Sequence, residues 1–157
     1  MGKGGILIIV PSLTQEIKDF VNKQRMGFVA TIGPANKPNL SPKGTTVALD
    51  DNHLAFTGIR SDQTISNLEI NPNLEINVVD PIRRKGYRFQ GTAKILSDGE
   101  EFEKILSHYS TLGIKSEVKT IVLVVIDVTK EIKSPLYDIG LTEQEIISEW
   151  KERYLPD

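Results

Sequence analysis

The alternation of apolar and polar residues is clearest at residues 87–95. One set of alternate positions holds Tyr87, Phe89, Gly91, Ala93 and Ile95. The positions between them hold Arg88, Gln90, Thr92 and Lys94. A period of two predicts a β-strand with one buried face and one solvent face.

Five more segments have strand patterns, separated by turn-forming residues. The predicted strands are residues 26–33, 38–49, 53–58, 74–80 and 120–128. Tight turns are expected at Pro34-Ala-Asn-Lys37 and at Asp50-Asp-Asn52, so the first three strands should form an antiparallel meander.

Four helices are expected around these strands. Ser12-Leu-Thr-Gln15 is typical of a capping box and predicts an amphipathic helix over about 12–24. A second helix is predicted over 63–69, ended by Asn71-Pro72. Ser97-Asp-Gly-Glu100 predicts the start of a third, and Thr142-Glu-Gln-Glu145 predicts a C-terminal helix over about 142–154.

Together these elements predict a mainly β (α+β) fold, a six-stranded antiparallel split β-barrel with flanking helices. Residues 1–157 are expected to form one domain, with the barrel at about 26–130. Residues 5–10 are apolar but too few to span a bilayer, and we interpret them as a packed leader or terminal strand.

The strand at 120–128 is almost continuously apolar and has no solvent face. An ordinary antiparallel sheet leaves one side of each strand polar. We therefore expect the barrel interior to cover one face, and a second subunit or a helix layer to cover the other.

Composition narrows the possible functions. The net charge is -2 in 157 residues, which argues against general nucleic-acid or anionic-membrane binding. Because there is no cysteine, thiolate nucleophiles and cysteine-ligated metals are excluded, and two histidines make a multi-histidine metal site improbable. We identify no carboxylate or serine partner for either His53 or His108. A cytoplasmic location is expected.

The helix beginning near residue 63 follows Arg60-Ser-Asp-Gln-Thr64. A helix N-terminus leaves backbone N–H groups unpaired and carries the positive end of the helix dipole. Hydroxyls, an amide and an arginine gathered there predict a phosphate site. The plainer alternative is an ordinary N-cap, in which Ser61 or Asp62 serves only the helix.

Several segments in order resemble the pyridoxamine phosphate oxidase-like FMN-binding split-barrel superfamily over about residues 12–130. These are Pro38-Asn-Leu-Ser-Pro-Lys-Gly-Thr45, Phe56-Thr-Gly-Ile-Arg-Ser-Asp-Gln-Thr64, Asn67-Leu68, Asn71-Pro72 and Gly86-Tyr-Arg-Phe-Gln-Gly-Thr-Ala93. The resemblance implies a homodimer with two FMN molecules at the subunit interface, each site shared between subunits.

The resemblance also implies which residues bind the cofactor. The phosphate ligands would be Ser61, Gln63 and Thr64, with Arg60 as a charge partner. The segment beside the isoalloxazine ring would be Ser41, Pro42, Lys43 and Gly44. Lys43 would stabilise negative charge on the reduced ring, unless it is only a solvated strand residue. Thr57 and Asn77 are further candidates.

The basic segment, residues 83–88, leaves three interpretations open. It is a solvated loop, or Arg83, Arg84, Lys85 and Tyr87 come from the partner subunit and meet the flavin phosphate or an anionic substrate. Nucleic-acid binding is the third and weakest.

The chain departs from true pyridoxamine phosphate oxidases in one respect, since the Arg-x-His element of that family is missing near the C-terminus. We therefore doubt vitamin B6 oxidation and expect an FMN-dependent oxidoreductase acting on a small organic molecule. The alternative is an FMN-carrying redox or storage protein without a substrate pocket, and a deazaflavin in place of FMN is a third possibility.

Overall fold

Seven strands form one antiparallel sheet in the computed structural model, which describes residues 13–157. The strands are β1 (Gly27–Ile32), β2 (Pro38–Lys43), β3 (Val47–Ala48), β4 (His53–Thr57), β5 (Asn73–Asp80), β6 (Lys85–Leu96) and β7 (Ile121–Lys133). The helices are α1 (Gln15–Gln24), α2 (Asp62–Ile70), α3 (Gly99–Thr111) and α4 (Glu143–Tyr154). The predicted leader or strand at residues 5–10 lies outside the described residues.

The sheet has the order β2-β1-β5-β6-β7-β4-β3 and curls into a half-barrel. The mainly β split-barrel prediction is confirmed, but the strand count is seven rather than six. The difference arises at residues 38–49, which form two strands instead of one. The backbone N–H of Thr46 donates to the carbonyls of Arg25 and Lys43, so the chain leaves the sheet between β2 and β3. We call residues 44–46 the crossover.

The predicted meander is wrong for the same reason. β1 and β2 pair, and β3 and β4 pair, but the two hairpins occupy opposite ends of the strand order. β4 pairs instead with β7, from His53 opposite Val125 to Thr57 opposite Ile121. The crossover therefore carries the chain from one edge of the sheet to the other.

The observed helix starts agree only partly with those predicted from the sequence. The capping box of α4 is confirmed, because Thr142 and Glu145 exchange both hydrogen bonds. Helix α1 is capped by Thr14, which accepts from the N–H of Ile17, so the expected start at Ser12 is two residues early. Asp98 is the N-cap residue of α3, where Ser97 was expected. Within residues 13–157, no helix is both long and apolar enough to cross a membrane.

The core lies in two clusters, one on each side of β7. The inner cluster fills the half-barrel and includes Val29, Ile76 and Phe89. The outer cluster packs α3 against Ile121 and Leu123. A helix layer, one of the two covers predicted from the sequence, thus lies over the outer face of the first half of the apolar strand. Beyond α3 the cover ends, and Val125 is 43% exposed.

Candidate functional site

A buried lysine lies at the end of β2, facing the start of α2. Lys43 is only 5% exposed, and its Nζ donates a 2.6 Å hydrogen bond to the hydroxyl of Ser61. The Ser61 hydroxyl in turn donates to the carbonyl of Ile59. Among residues 13–157, no carboxylate lies within ion-pair distance of Lys43. Burial lowers the pKa of its amine. A buried cation without a counter-ion favours binding of an anion from outside.

The start of α2 lies at the same place. Ser61 is the N-cap residue, but its side chain does not cap the helix. The first-turn N–H groups of a helix have no intrahelical partner, and they lie at the positive end of the dipole. With Ser61 engaged by Lys43, these donors are left for a ligand. The arrangement suits a multiply charged anion such as a phosphate. Lys43, which the resemblance assigns to the ring, thus lies against the predicted phosphate ligand Ser61.

The crossover is joined to the end of β4 beside this site. The N–H of Thr57 donates to the hydroxyl of Thr45 at 2.9 Å, and the two hydroxyls are 2.9 Å apart. The hydroxyl of Thr46 donates to the carbonyl of Lys43 at 2.8 Å. Space is tight here, because a Cβ at Gly27 would lie 2.3 Å from the Thr46 hydroxyl oxygen. These contacts fix the backbone that carries Lys43.

A second polar chain fixes α2 on the sheet. Gln63 donates to Asn67 at 2.7 Å, and Asn67 donates to the buried hydroxyl of Thr31 at 3.0 Å. Gln63, a predicted phosphate ligand, is therefore held at the surface of the first turn. The sequence reasoning missed Thr31, Thr45 and Asn67 as supports of the site. Only Thr31 gave a signal, because it interrupts the otherwise apolar strand predicted at 26–33, whereas Thr45 and Asn67 lie among other polar residues.

The other predicted ligands divide between the two sides of the sheet. Ser41 and Lys43 lie on the inner side of β2, and Thr57, Ser61 and Thr64 are buried at the end of β4 and the start of α2. Gly44 lies in the crossover, and Arg60 is exposed with a φ of 48°. Two residues face the outer side. They are Pro42, opposite Phe28, and Asn77, which accepts from Arg88.

The basic segment at residues 83–88 is engaged elsewhere in the protomer. The Arg83 guanidinium lies 3.8 Å from Asp80, and Lys85 lies 2.6 Å from Glu143 of α4. The guanidinium of Arg84 stacks 3.9 Å from the ring centroid of Trp150. Within one subunit, the segment therefore braces α4 against the sheet. Its contribution to a partner subunit's flavin site stays a prediction.

Tyr87 lies on the inner side and lines a cleft with Arg83. The cleft has a volume of about 370 Å³ and lies between α1 and the hairpin that joins β5 to β6. Tyr87 packs edge-on against Phe20, with ring centroids 5.2 Å apart. Burial, with Glu16 and Glu131 nearby, raises the pKa of its phenol. The cleft offers an aromatic wall and charges of both signs to a small molecule.

The histidines differ from expectation in one respect. Nδ1 of His53 lies 2.8 and 2.9 Å from the two carboxylate oxygens of Asp50, so His53 does have a carboxylate partner. The pairing was missed because Asp50 was interpreted only as a turn residue. Within residues 13–157, no group of three or more histidines and carboxylates is arranged to hold a metal.

The sequence of the chain matches that of a known protein family. The sequence profile of the family described as pyridoxamine 5'-phosphate oxidase matches residues 13–131. No functionally curated protein matches the chain.

Solved structures show the same fold. The chain is 32% identical to HupZ of Group A Streptococcus, with a TM-score of 0.69, over 78% of this chain and 95% of that one. An FMN-binding protein from Syntrophomonas wolfei is 15% identical with a TM-score of 0.64, over 75% of this chain and 84% of that one. An F420 reductase is 20% identical with a TM-score of 0.58, over 75% of this chain and 98% of that one.

Proposed function

We propose that this chain binds FMN with its phosphate at Lys43 and the start of α2. The chain belongs to the pyridoxamine 5'-phosphate oxidase family of FMN-binding split barrels. In this proposal it is an oxidoreductase that acts on a small organic molecule. Flavin binding by a structural relative supports the proposal at the level of the fold. The observation that carries it is the buried Lys43 amine, which lacks a carboxylate partner among residues 13–157 and lies beside an uncapped helix start.

The residues present fit a phosphate. Lys43 supplies a charge, and the first turn of α2 supplies backbone N–H donors. The Ser61 hydroxyl would donate to a phosphate oxygen by turning away from the Ile59 carbonyl. Thr64 is buried in that turn and supplies a second hydroxyl. Charge-assisted hydrogen bonds of this kind are about twice as strong as neutral ones. These residues would hold the phosphate, and the backbone of Ser41, Pro42 and Gly44, at the edge of the sheet, would lie beside the ring.

When bound, the flavin supplies hydride or electron transfer, and the protein supplies orientation and charge. Lys43 holds a positive charge in a site with little water, where its electrostatic effect is larger than in solvent. The crossover keeps the amine in one place, since the Lys43 carbonyl is bonded to both Thr46 donors. No acid–base residue is assigned.

The cleft beside Tyr87 favours an enzyme over a simple flavin carrier. A carrier needs no dedicated substrate cavity, whereas this cleft of about 370 Å³ has an aromatic wall and is lined by Arg83 and Tyr87. Basic and acidic side chains line the cleft beside Phe20 and Tyr87, so it suits a small polar molecule that carries charge.

A deazaflavin-dependent reductase is the second candidate. It is supported by the structural likeness to an F420 reductase, which at 20% identity is a likeness of fold. Both candidates use the same phosphate-binding residues, so cofactor titration must separate them.

We also propose a homodimer that uses the outer face of β1 and β2. Apolar side chains stand exposed there: Phe28 and Ile32 are each 40% exposed, and Leu40 is 67% exposed. Contiguous apolar residues on a sheet surface favour association. The outer face replaces residues 120–128 as the main support for a dimer, since α3 already covers part of that strand.

The first test is cofactor titration of the purified protein with FMN, riboflavin and F420. Ser61→Ala and Thr64→Ala should each weaken FMN binding by roughly ten- to a hundredfold, through loss of a charge-assisted hydrogen bond. Riboflavin, which lacks the phosphate, should bind each variant as it binds the wild type. Equal losses for FMN and riboflavin would show that these residues do not contact the phosphate. Preferential binding of F420 would select the second candidate.

The second test concerns the dimer. Leu40→Glu places a charge on the proposed interface at a position that a monomer exposes, so the fold should survive while the dimer dissociates. Ile139→Glu is the matched control, since Ile139 is 72% exposed and lies outside the outer face. Sedimentation at several concentrations, with and without FMN, measures both. A Leu40→Glu protein that stays dimeric would overturn the assignment of this face.

A further inference from the structure

Helix α3 reaches the crossover through one buried phenol. Tyr109 is 1% exposed, and its hydroxyl donates a 2.9 Å hydrogen bond to the backbone carbonyl of Thr45. Its ring packs in the outer cluster with Phe102 and Ile105 of the same helix. The hydroxyl therefore links an element outside the barrel to the three-residue segment that follows Lys43.

The crossover and the adjoining Lys43 are tied to β4 and to the start of α2 at two points. One tie joins Thr45 to Thr57, through the 2.9 Å bond from the Thr57 N–H and the 2.9 Å contact between the hydroxyls. The other joins Lys43 to Ser61 at 2.6 Å. Chain and hydrogen bonds together form a closed ring that runs from Lys43 through Thr45 and Thr57 to Ser61 and back. A displacement at Thr45 must therefore move Lys43 relative to the start of α2.

We propose that Tyr109 is a positioning residue for phosphate binding. Its hydroxyl fixes the crossover, and the crossover fixes the distance between the Lys43 amine and the first turn of α2. The proposal rests on the phosphate role of Lys43 given above. In this proposal Tyr109 acts through the backbone of Thr45 rather than by contact with the cofactor.

The alternative is that the hydroxyl serves only packing of α3. The two differ in what they predict for ligands with and without a phosphate. A packing role affects stability and leaves the relative affinity for FMN and riboflavin unchanged. A positioning role changes that ratio, because only the phosphate is bound by Lys43.

The test is Tyr109→Phe, which keeps the ring and removes the hydroxyl. We expect FMN binding to weaken by about three- to tenfold, the usual range for one buried neutral hydrogen bond. Riboflavin affinity should be unchanged. Ser110→Ala is the control, since it also removes a hydroxyl of α3, one that donates to the Leu106 carbonyl of the same helix and not to the crossover. It should alter neither affinity.

A double-mutant cycle with Lys43→Met isolates the coupling. Once the amine is gone, Tyr109→Phe should have no further effect on FMN. An equal effect in both backgrounds, or equal losses for FMN and riboflavin, would overturn the positioning role. If Lys43→Met itself leaves the FMN preference intact, the proposed phosphate site is wrong, which is a different failure.

Thr45→Val gives an independent arm if Tyr109→Phe does not fold. It removes the hydroxyl that accepts from the Thr57 N–H and contacts the Thr57 hydroxyl, so it opens the ring at a residue that is not a candidate ligand. FMN should weaken and riboflavin should not. A Thr45→Val protein with an unchanged ratio of the two affinities would show that the ring does not set the position of Lys43.

Discussion

Two regions of the molecule carry basic side chains that could bind an anion, namely residues 83–88 and the surroundings of Lys43. They differ in what those side chains contact. Residues 83–88 hold four basic side chains, and three of them meet Asp80, Trp150 and Glu143 in the same subunit. The Lys43 region holds one buried amine with a single hydroxyl partner. The number of basic residues is therefore a poor guide to an anion site. A buried cation without a counter-ion is a better one, since its desolvation is compensated only when an anion binds.

Replacement of the lysine tests this comparison most directly. Lys43→Met keeps the length of the side chain and removes the charge, so FMN affinity should fall by roughly ten- to a hundredfold while riboflavin affinity holds. The free energy of unfolding should stay level or rise, because a desolvated charge is replaced by an apolar group. Fluorescence titration and denaturant unfolding measure the two effects.

Two other lysines give the comparison its controls. Lys94→Met removes a lysine paired with Glu101 at 2.6 Å, and both affinities should be unchanged. Lys85→Met tests the basic segment itself. If Lys85→Met weakens FMN as much as Lys43→Met does, residues 83–88 reach the flavin of a partner subunit, and the contrast between the regions fails.

The pH dependence of FMN binding should sharpen the contrast. The charged Lys43 amine binds phosphate, so affinity is present below its pKa and is lost as pH rises through it. Because burial lowers that pKa, the loss should begin at a less alkaline pH than for an ordinary lysine. Bound phosphate favours the charged form, so binding should be accompanied by proton uptake in that range. Riboflavin and Lys43→Met supply the baselines, and an identical FMN profile in Lys43→Met would contradict the assignment.

Much of the fold follows from local pattern. The alternation at residues 87–95 matches the observed burial of β6, and the Thr142 to Glu145 capping box forms as expected. Local pattern failed at residues 44–46. Gly44 and two threonines are compatible with a continuous strand, and only the contacts of Thr46 with Arg25 and Lys43 make the chain leave the sheet.

The site was predictable to a similar extent. The place of Ser61 and Thr64 at a helix start could be inferred because a helix N-terminus is a local feature of the sequence, while their contact with a phosphate stays a prediction. Tyr109 could not, because its hydroxyl meets Thr45 across 64 residues of sequence and nothing in the pattern of α3 distinguishes it from a core aromatic. The pairing of Arg84 with Trp150 escaped for the same reason. Contacts between distant segments decided which predicted residues came together.

The smallest of the predicted effects concerns stability, and it arises from the pair of Lys85 and Glu143, where the basic segment meets α4. The hydrogen bond from Lys85 lowers the pKa of the Glu143 carboxyl, and the same bond raises the pKa of Lys85. A lowered carboxyl pKa stabilises the fold above the ordinary carboxyl pKa, and this contribution is lost as pH falls through the lower folded-state value. Both side chains are about a third exposed, so solvent screening limits the pair to about 0.2–1 kcal/mol.

Glu143→Gln should therefore reduce the free energy of unfolding slightly at neutral pH and flatten its decline at acid pH, with FMN affinity unchanged. Glu117→Gln is the control, because Glu117 is 79% exposed and lies 3.7 Å from Lys119. Denaturant unfolding across the acid range would measure both. Unchanged stability together with a loss of FMN would mean that Lys85 is held by Glu143 for the cofactor rather than for α4, and would join the two cationic regions into one site.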